Sequence, residues 1–127
     1  MNRRLVALLV GVVLVAASGA ATAHHSFSMF DQSNPIEIEG TVHEFKYLSP
    51  HSFIVLEVKD QDGTTALWAL EGAAPSQLSR SGWTATTLKP GDQIKLTIKP
   101  LRSGAPGGAW DAEKINFKGG QPVAVGH

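Results

Sequence analysis

The sequence contains no cysteine. This absence excludes disulfide bonds, thiolate metal sites and cysteine nucleophiles, so the hydrophobic core alone must hold the fold. An excess of charge is also missing, because 11 Lys and Arg residues balance 11 Asp and Glu residues. A chain near neutrality lacks the electrostatic surface typical of proteins that bind nucleic acid or anionic membranes. We therefore expect neither nucleic acid nor a membrane as a partner of the mature protein.

The common catalytic motifs are missing too. The sequence has no G-x-S-x-G element, no glycine-rich phosphate loop that opens a helix and no H-E-x-x-H pair. The glycine-rich stretch at residues 103–108 lies between two predicted strands, which is typical of a flexible hairpin. Four acids fall largely on alternating strand positions typical of a solvated face: Glu37, Glu39, Glu44 and Glu57. We find no catalytic constellation, and the sequence argues against a hydrolase or transferase.

An apolar run long enough to cross a bilayer is absent. The uncharged apolar run at residues 5–17 has 13 residues, whereas a membrane-spanning helix needs about 20. Arg3 and Arg4 precede this run, and the sequence ATA at residues 21–23 follows it as an A-x-A cleavage site. These three parts are typical of a secretory signal peptide. We predict that residues 1–23 are removed on export.

The mature chain is one small domain. Residues 24–127 are 104 residues long, enough for a single modest core. Removal of the signal peptide also removes its two arginines, so the mature chain has nine basic and 11 acidic residues. We divide this chain into a lead-in at residues 24–35, a barrel domain at 36–118 and a flexible tail at 119–127.

Hydrophobic periodicity predicts three strands in the first half of the domain. The first, at residues 36–49, changes its apolar phase after Gly40, which indicates a bulge or a sharp bend. The second covers residues 51–60 and alternates cleanly. A Gln-Asp-Gly turn then leads into the third strand at residues 64–71, as in a hairpin.

The second half predicts one short helix and two more strands. Residues 75–81 begin with proline and are followed by glycine, a combination typical of a helix. Residues 93–99 alternate apolar and polar side chains, and a fifth strand is predicted at residues 110–117. Three strands, a short helix and two strands is the order of the OB-fold. The sequence therefore predicts an all-β protein, a small five-stranded OB-like barrel with one short helix between strands three and four; an open sandwich is the competing architecture.

Two adjacent histidines follow the predicted cleavage site. Cleavage after Ala23 makes His24 the first residue, so that its α-amino nitrogen and its imidazole can chelate one metal ion. A second imidazole completes a T-shaped set of three nitrogens, which suits Cu(II). His25 supplies another imidazole, and Met29 is a soft ligand close by in sequence. Cleavage after Ala21 would instead make His24 the third residue of the mature chain. Copper would then be bound by the N-terminal amine, two backbone amides and the imidazole of His24. Copper is therefore the candidate cofactor.

Two further histidines could complete such a site. His51 follows Pro50 at the start of the predicted second strand, where its side chain can point towards the lead-in. His43 lies within the first strand, next to the bend. Each histidine also has an explanation that involves no metal. His51 can cap a turn, His43 can be an exposed strand residue, and His24 and His25 can be flexible remnants of export.

The aromatic residues support a second hypothesis, a metal-free barrel that binds a periplasmic protein partner or a small ligand. Most of the rings are expected in the core, because a small barrel without cysteine needs large side chains there. Trp83 and Trp110 lie beside predicted loops, so we expect them to be partly exposed and to form the ligand or partner surface. A copper enzyme that uses the same N-terminus is a third hypothesis, but the sequence shows no signature of a substrate surface.

Several short elements together resemble a known family. They are AHHSF at residues 23–27, PHSFI at 50–54, Trp68 with Glu71, RSGW at 80–83 and LKPGD at 88–92. The combination is similar to a family of small exported proteobacterial proteins, catalogued as a domain of unknown function, and covers nearly the whole mature chain. The resemblance implies a periplasmic location but no established activity. In that family an asparagine commonly precedes Pro-His, whereas this chain has Ser49.

Overall fold

The computed structural model describes residues 28–117. The predicted signal peptide, His24, His25 and the whole predicted tail lie outside the described residues. Within them, no helix combines the length and the apolar character needed to cross a lipid bilayer.

Within residues 28–117, five strands and one short helix follow one another in the predicted order. The elements are β1 (Ile36–Lys46), β2 (Phe53–Lys59), β3 (Thr65–Glu71), α1 (Pro75–Leu78), a 3-10 turn (Ser79–Ser81), β4 (Gln93–Pro100) and β5 (Gly107–Phe117). The strands form a closed barrel in the order β1-β2-β3-β5-β4. All neighbouring strands are antiparallel except β3 and β5, which run parallel where the barrel closes. This architecture confirms the predicted OB-like barrel.

The long strand β1 serves both halves of the barrel. Its first part pairs with β4 and its last part with β2, which requires the strand to bend. The register shifts between Val42 and Glu44, so His43 is the extra residue of a bulge. A bulge or sharp bend was predicted after Gly40, and the bulge lies a few residues further along the strand, between Val42 and Glu44. Gly40 instead allows close packing, since a Cβ there would collide with the carbonyl oxygen of Glu57.

The barrel interior is filled by the inward positions of the strands. Ile94, Leu96 and Ile98 of β4 are at most 1% exposed, which confirms the alternation expected there. Ile54 and Leu56 of β2 are fully buried opposite them in the same core cluster. Burial of one such side chain contributes about 1.5–3 kcal/mol. The core therefore compensates for the missing disulfides.

The helical segment between β3 and β4 begins at the proline and ends at the glycine from which it was predicted. Pro75 opens α1, and the chain tightens into a 3-10 turn before Gly82, whose φ is 81°. The hydroxyl of Tyr47 contacts the carbonyl oxygens of Pro75 and Trp83, each at 3.1 Å. These contacts attach the helix to the chain that leaves β1.

Candidate metal centre around His51

His51 is exposed and lies beside two oxygen atoms. Its Nδ1 is 3.3 Å from the carbonyl oxygen of Gly72 and 3.3 Å from Oε1 of Glu71. Its side chain is 48% exposed, and that of Glu71 is 29% exposed. The ring is thus held on one edge and open to solvent elsewhere.

The β2–β3 hairpin brings these residues together. Its register pairs Phe53 with Glu71, the last residue of β3. Just beyond the strands, the Gly72 amide donates to the carbonyl oxygen of Ser52 at 2.8 Å, and the Ser52 amide donates to that of Ala73 at 3.1 Å. His51 precedes Ser52, so the continued ladder places its ring beside the end of β3.

The two oxygens determine which ring nitrogen carries the proton. A carbonyl oxygen and a carboxylate oxygen both accept hydrogen bonds, and neither has a proton to donate. These two acceptors favour the tautomer in which Nδ1 of His51 carries the hydrogen and faces Gly72 and Glu71. In the neutral ring this leaves the lone pair on Nε2, and neutral imidazole nitrogen is a metal ligand.

A cavity of about 280 Å³ adjoins the histidine. Its lining includes Phe30, Pro50, His51, Glu71 and Trp110. Phe30 belongs to the described part of the lead-in, so that part and His51 border one cavity.

The described part of the lead-in, residues 28–35, is fixed to the barrel by several hydrogen bonds. The Asp31 amide donates to the Pro100 carbonyl oxygen at 2.8 Å, and the Arg102 amide donates to that of Met29 at 2.9 Å. The Arg102 side chain donates from Nε to the Ser28 carbonyl oxygen at 3.0 Å. Phe30 forms a β-bridge with Leu101 and is 6% exposed. The start of the described chain is therefore anchored.

The other predicted ligands are distributed differently. His43 is exposed at the β1 bulge. No cluster of three or more His, Cys, Asp or Glu residues suited to a metal ion occurs within residues 28–117. His43 thus does not join His51 and Glu71 in such a group. A site of three or more such residues around His51 would need ligands from outside residues 28–117.

The expectation that Trp83 and Trp110 are partly exposed is wrong. Trp83 is 1% exposed and Trp110 is 6% exposed. The ring of Phe45 lies edge-on to both, with centroids 5.9 Å from Trp83 and 6.2 Å from Trp110. The physical reason is the closure of the barrel, which turns residues beside loops towards its interior. These two rings therefore do not form an exposed aromatic face.

Sequence reasoning missed Glu71 and Gly72 as parts of the site. A Cβ at Gly72 would collide with the indole of Trp110, so glycine lets that ring lie against the backbone beside His51. The signal that could have found both residues is the hairpin register. The predicted turn between β2 and β3 already places the end of β3 opposite the start of β2.

The fold and this site define a small OB-like barrel with a histidine at the mouth of a cavity. A family model matches residues 11–111, and the chain belongs to that family, the family of unknown function DUF6152. This confirms a domain-of-unknown-function family, while export and a proteobacterial source stay predictions. No curated protein matches the chain.

One solved structure gives a comparison of shape. The mitochondrial single-stranded DNA binding protein Rim1 from S. cerevisiae is similar to this chain with a TM-score of 0.47 and 10% sequence identity. The match covers 66% of this chain and 93% of that protein.

Proposed function

We propose that the protein is an exported, periplasmic copper-binding protein whose processed N-terminus and His51 hold the ion together. The observation that carries this proposal is the anchored lead-in. Its residue Phe30 lines the same cavity as His51, and Arg102 holds the chain at Ser28. The predicted ligands His24 and His25 are attached to this fixed point.

Chain length supports the proposal. His25 precedes Ser28 by three residues and His24 by four. An extended chain spans at most about 3.6 Å per residue, so the two Cα atoms lie within about 11 Å and 14 Å of the Ser28 Cα. Ligands tethered so closely to the cavity have a high effective concentration at His51.

The donor set suits copper. The α-amino nitrogen and imidazole of His24 would form a chelate, and Nε2 of His51 would supply a third nitrogen. Three nitrogens in a T-shaped arrangement fit the tetragonal preference of Cu(II), which heads the divalent affinity order. His25 offers a further imidazole to the ion.

The test is a Cu(II) titration of the processed protein, with intact mass confirming that it begins at His24. A matched sample carries one additional N-terminal alanine, which moves the α-amino group away from His24. We expect one-to-one binding by the first sample and binding weakened at least tenfold in the second. Equal or negligible binding by both samples would overturn the proposal.

Two single substitutions assign the distant ligand. His51→Ala is expected to weaken Cu(II) binding because it removes a nitrogen from the set. His43→Ala is expected to leave the affinity unchanged. His43 lies at the β1 bulge and does not form a group of possible metal ligands with His51 and Glu71 within residues 28–117. Weaker binding by His43→Ala together with unchanged binding by His51→Ala would assign His43, and not His51, as the distant ligand.

The alternative function is a metal-free module that binds a protein partner or a small ligand. Because Trp83 and Trp110 are buried, this function would depend on a groove and not on an aromatic face. A groove of about 440 Å³ is lined by Gln77, Lys99 and Asp111, among other residues. Negligible copper binding by the processed protein would leave this groove as the candidate surface.

A further inference from the structure

We infer that Glu71 is a positioning residue that keeps the proton of His51 on Nδ1 and thereby presents Nε2 to the metal ion. This inference rests on the proposed copper site and adds a group that does not touch the ion. Histidine ligands commonly donate their other ring N–H to a carboxylate or a carbonyl oxygen, which sets the tautomer and the ring orientation.

The backbone of Glu71 is held from both sides. It pairs with Phe53 on β2 and with Ala109 on β5, at the place where parallel pairing closes the barrel. Its side chain is less exposed than that of His51, at 29% against 48%. The carboxylate is therefore carried by a strand paired on both sides, whereas His51 lies just before β2.

A second acceptor converges on the same nitrogen. The carbonyl oxygen of Gly72 lies 3.3 Å from Nδ1, as does Oε1 of Glu71. The Gly72 amide donates a hydrogen bond to the Ser52 carbonyl oxygen, and the Trp110 indole packs where a Cβ of residue 72 would lie. Two acceptors on one nitrogen disfavour the tautomer in which Nδ1 is unprotonated, since its lone pair would face two oxygens.

The consequence for the metal is a defined donor atom. With the hydrogen on Nδ1, only Nε2 of His51 has a lone pair for the ion. Loss of such a partner typically lowers metal affinity by about 10–100-fold. In this arrangement Glu71 acts on copper affinity by positioning His51.

The experiment combines two measurements on three forms of the processed protein: wild type, Glu71→Ala and Glu71→Gln. ¹⁵N NMR of the metal-free protein, at a pH where the imidazole is neutral, reports which nitrogen of His51 is protonated. Cu(II) titration of the same samples reports affinity. Glu57→Ala is the matched control, because it removes an exposed carboxylate from the same hairpin. Circular dichroism verifies that each variant is folded.

We expect wild-type His51 as the Nδ1–H tautomer, a shift towards Nε2–H in Glu71→Ala and a smaller shift in Glu71→Gln, whose amide oxygen still accepts. Cu(II) affinity should fall about 10–100-fold in Glu71→Ala, less in Glu71→Gln and not in Glu57→Ala. A tautomer or an affinity independent of Glu71 overturns this inference and leaves the copper site standing. A Glu71-dependent tautomer in a protein that binds no copper overturns the proposed function, and the metal role of Glu71 with it.

Discussion

The indole rings of Trp83 and Trp110 pack against each other with centroids 5.2 Å apart and an interplanar angle of 47°. Trp83 follows the short helical segment, whereas Trp110 lies in β5. Their contact therefore joins the segment between β3 and β4 to the strand that closes the barrel. Neither indole Nε1 has a hydrogen-bond partner within the described residues. The pair stabilises the fold through apolar packing.

The first prediction concerns this packing. Trp83→Ala should lower the free energy of unfolding by about 3–5 kcal/mol, because truncation removes buried contacts and leaves a cavity. Trp83→Phe should cost less, since it also removes the unpaired N–H. Urea denaturation followed by circular dichroism measures both. Leu67→Ala is the control, because Leu67 is 51% exposed and should change stability by less than about 0.5 kcal/mol. A Trp83→Ala variant as stable as this control would contradict the packing described.

The second prediction concerns the contact between Gly72 and Trp110. Gly72→Ala should destabilise the protein by about 1–3 kcal/mol, because the new methyl group collides with the indole. In a Trp110→Ala background the same change should cost much less. Gly63→Ala, at a φ of 88° in an open turn, is the control and should cost the same in both backgrounds. Additive effects of Gly72→Ala and Trp110→Ala in a double-mutant cycle would disprove the coupling.

The third prediction concerns the pKa of Asp31. The Asn34 side chain donates to its carboxylate, and the Ser33 amide does so too, which lowers the pKa of Asp31 below its ordinary value of 3.8. A carboxyl whose pKa is lowered by folding stabilises the folded state above the unfolded pKa. That stabilisation is lost as the pH falls through the folded pKa. NMR titration of the carboxyl carbons should show this low value, and Asn34→Ala should raise it. An Asp31 pKa that does not respond to Asn34→Ala would refute the assignment.

The fourth prediction tests the anchor of the lead-in. Arg102→Ala removes the side-chain hydrogen bond to Ser28 but leaves the backbone hydrogen bonds of the segment intact. Stability should fall by no more than about 1 kcal/mol. Under the proposed function, Cu(II) affinity should fall several-fold, since the proposed N-terminal ligands are then less well positioned relative to His51. Titration and urea denaturation of the same sample separate the two effects. Lys46→Ala, which breaks an exposed ion pair with Glu44, is the control and should change neither quantity. An Arg102→Ala variant with wild-type Cu(II) affinity would exclude a role of the Arg102–Ser28 hydrogen bond in copper binding.

Part of the candidate site could be read from the sequence. His51 was singled out because it follows Pro50 at the start of a strand, and the structure places it beside a cavity. Glu71 was recognised only as part of a motif, because a single strand pattern does not say which residue faces which across a hairpin. The burial of Trp83 and Trp110 was missed for a related reason. Proximity to a loop in sequence does not tell whether a ring points outwards or into a closing barrel.

The sequence by itself determined the five strands, the short helix and the turns between them, because alternation, proline and glycine act within a few residues. Residues 93–99 show this best, with apolar and polar side chains alternating throughout. Only the tertiary structure decided the site of the β1 bulge, the packing of Trp83 on Trp110 and the approach of His51 to Glu71. Each of these depends on strand register or on packing between residues distant in the chain, which local sequence patterns do not specify.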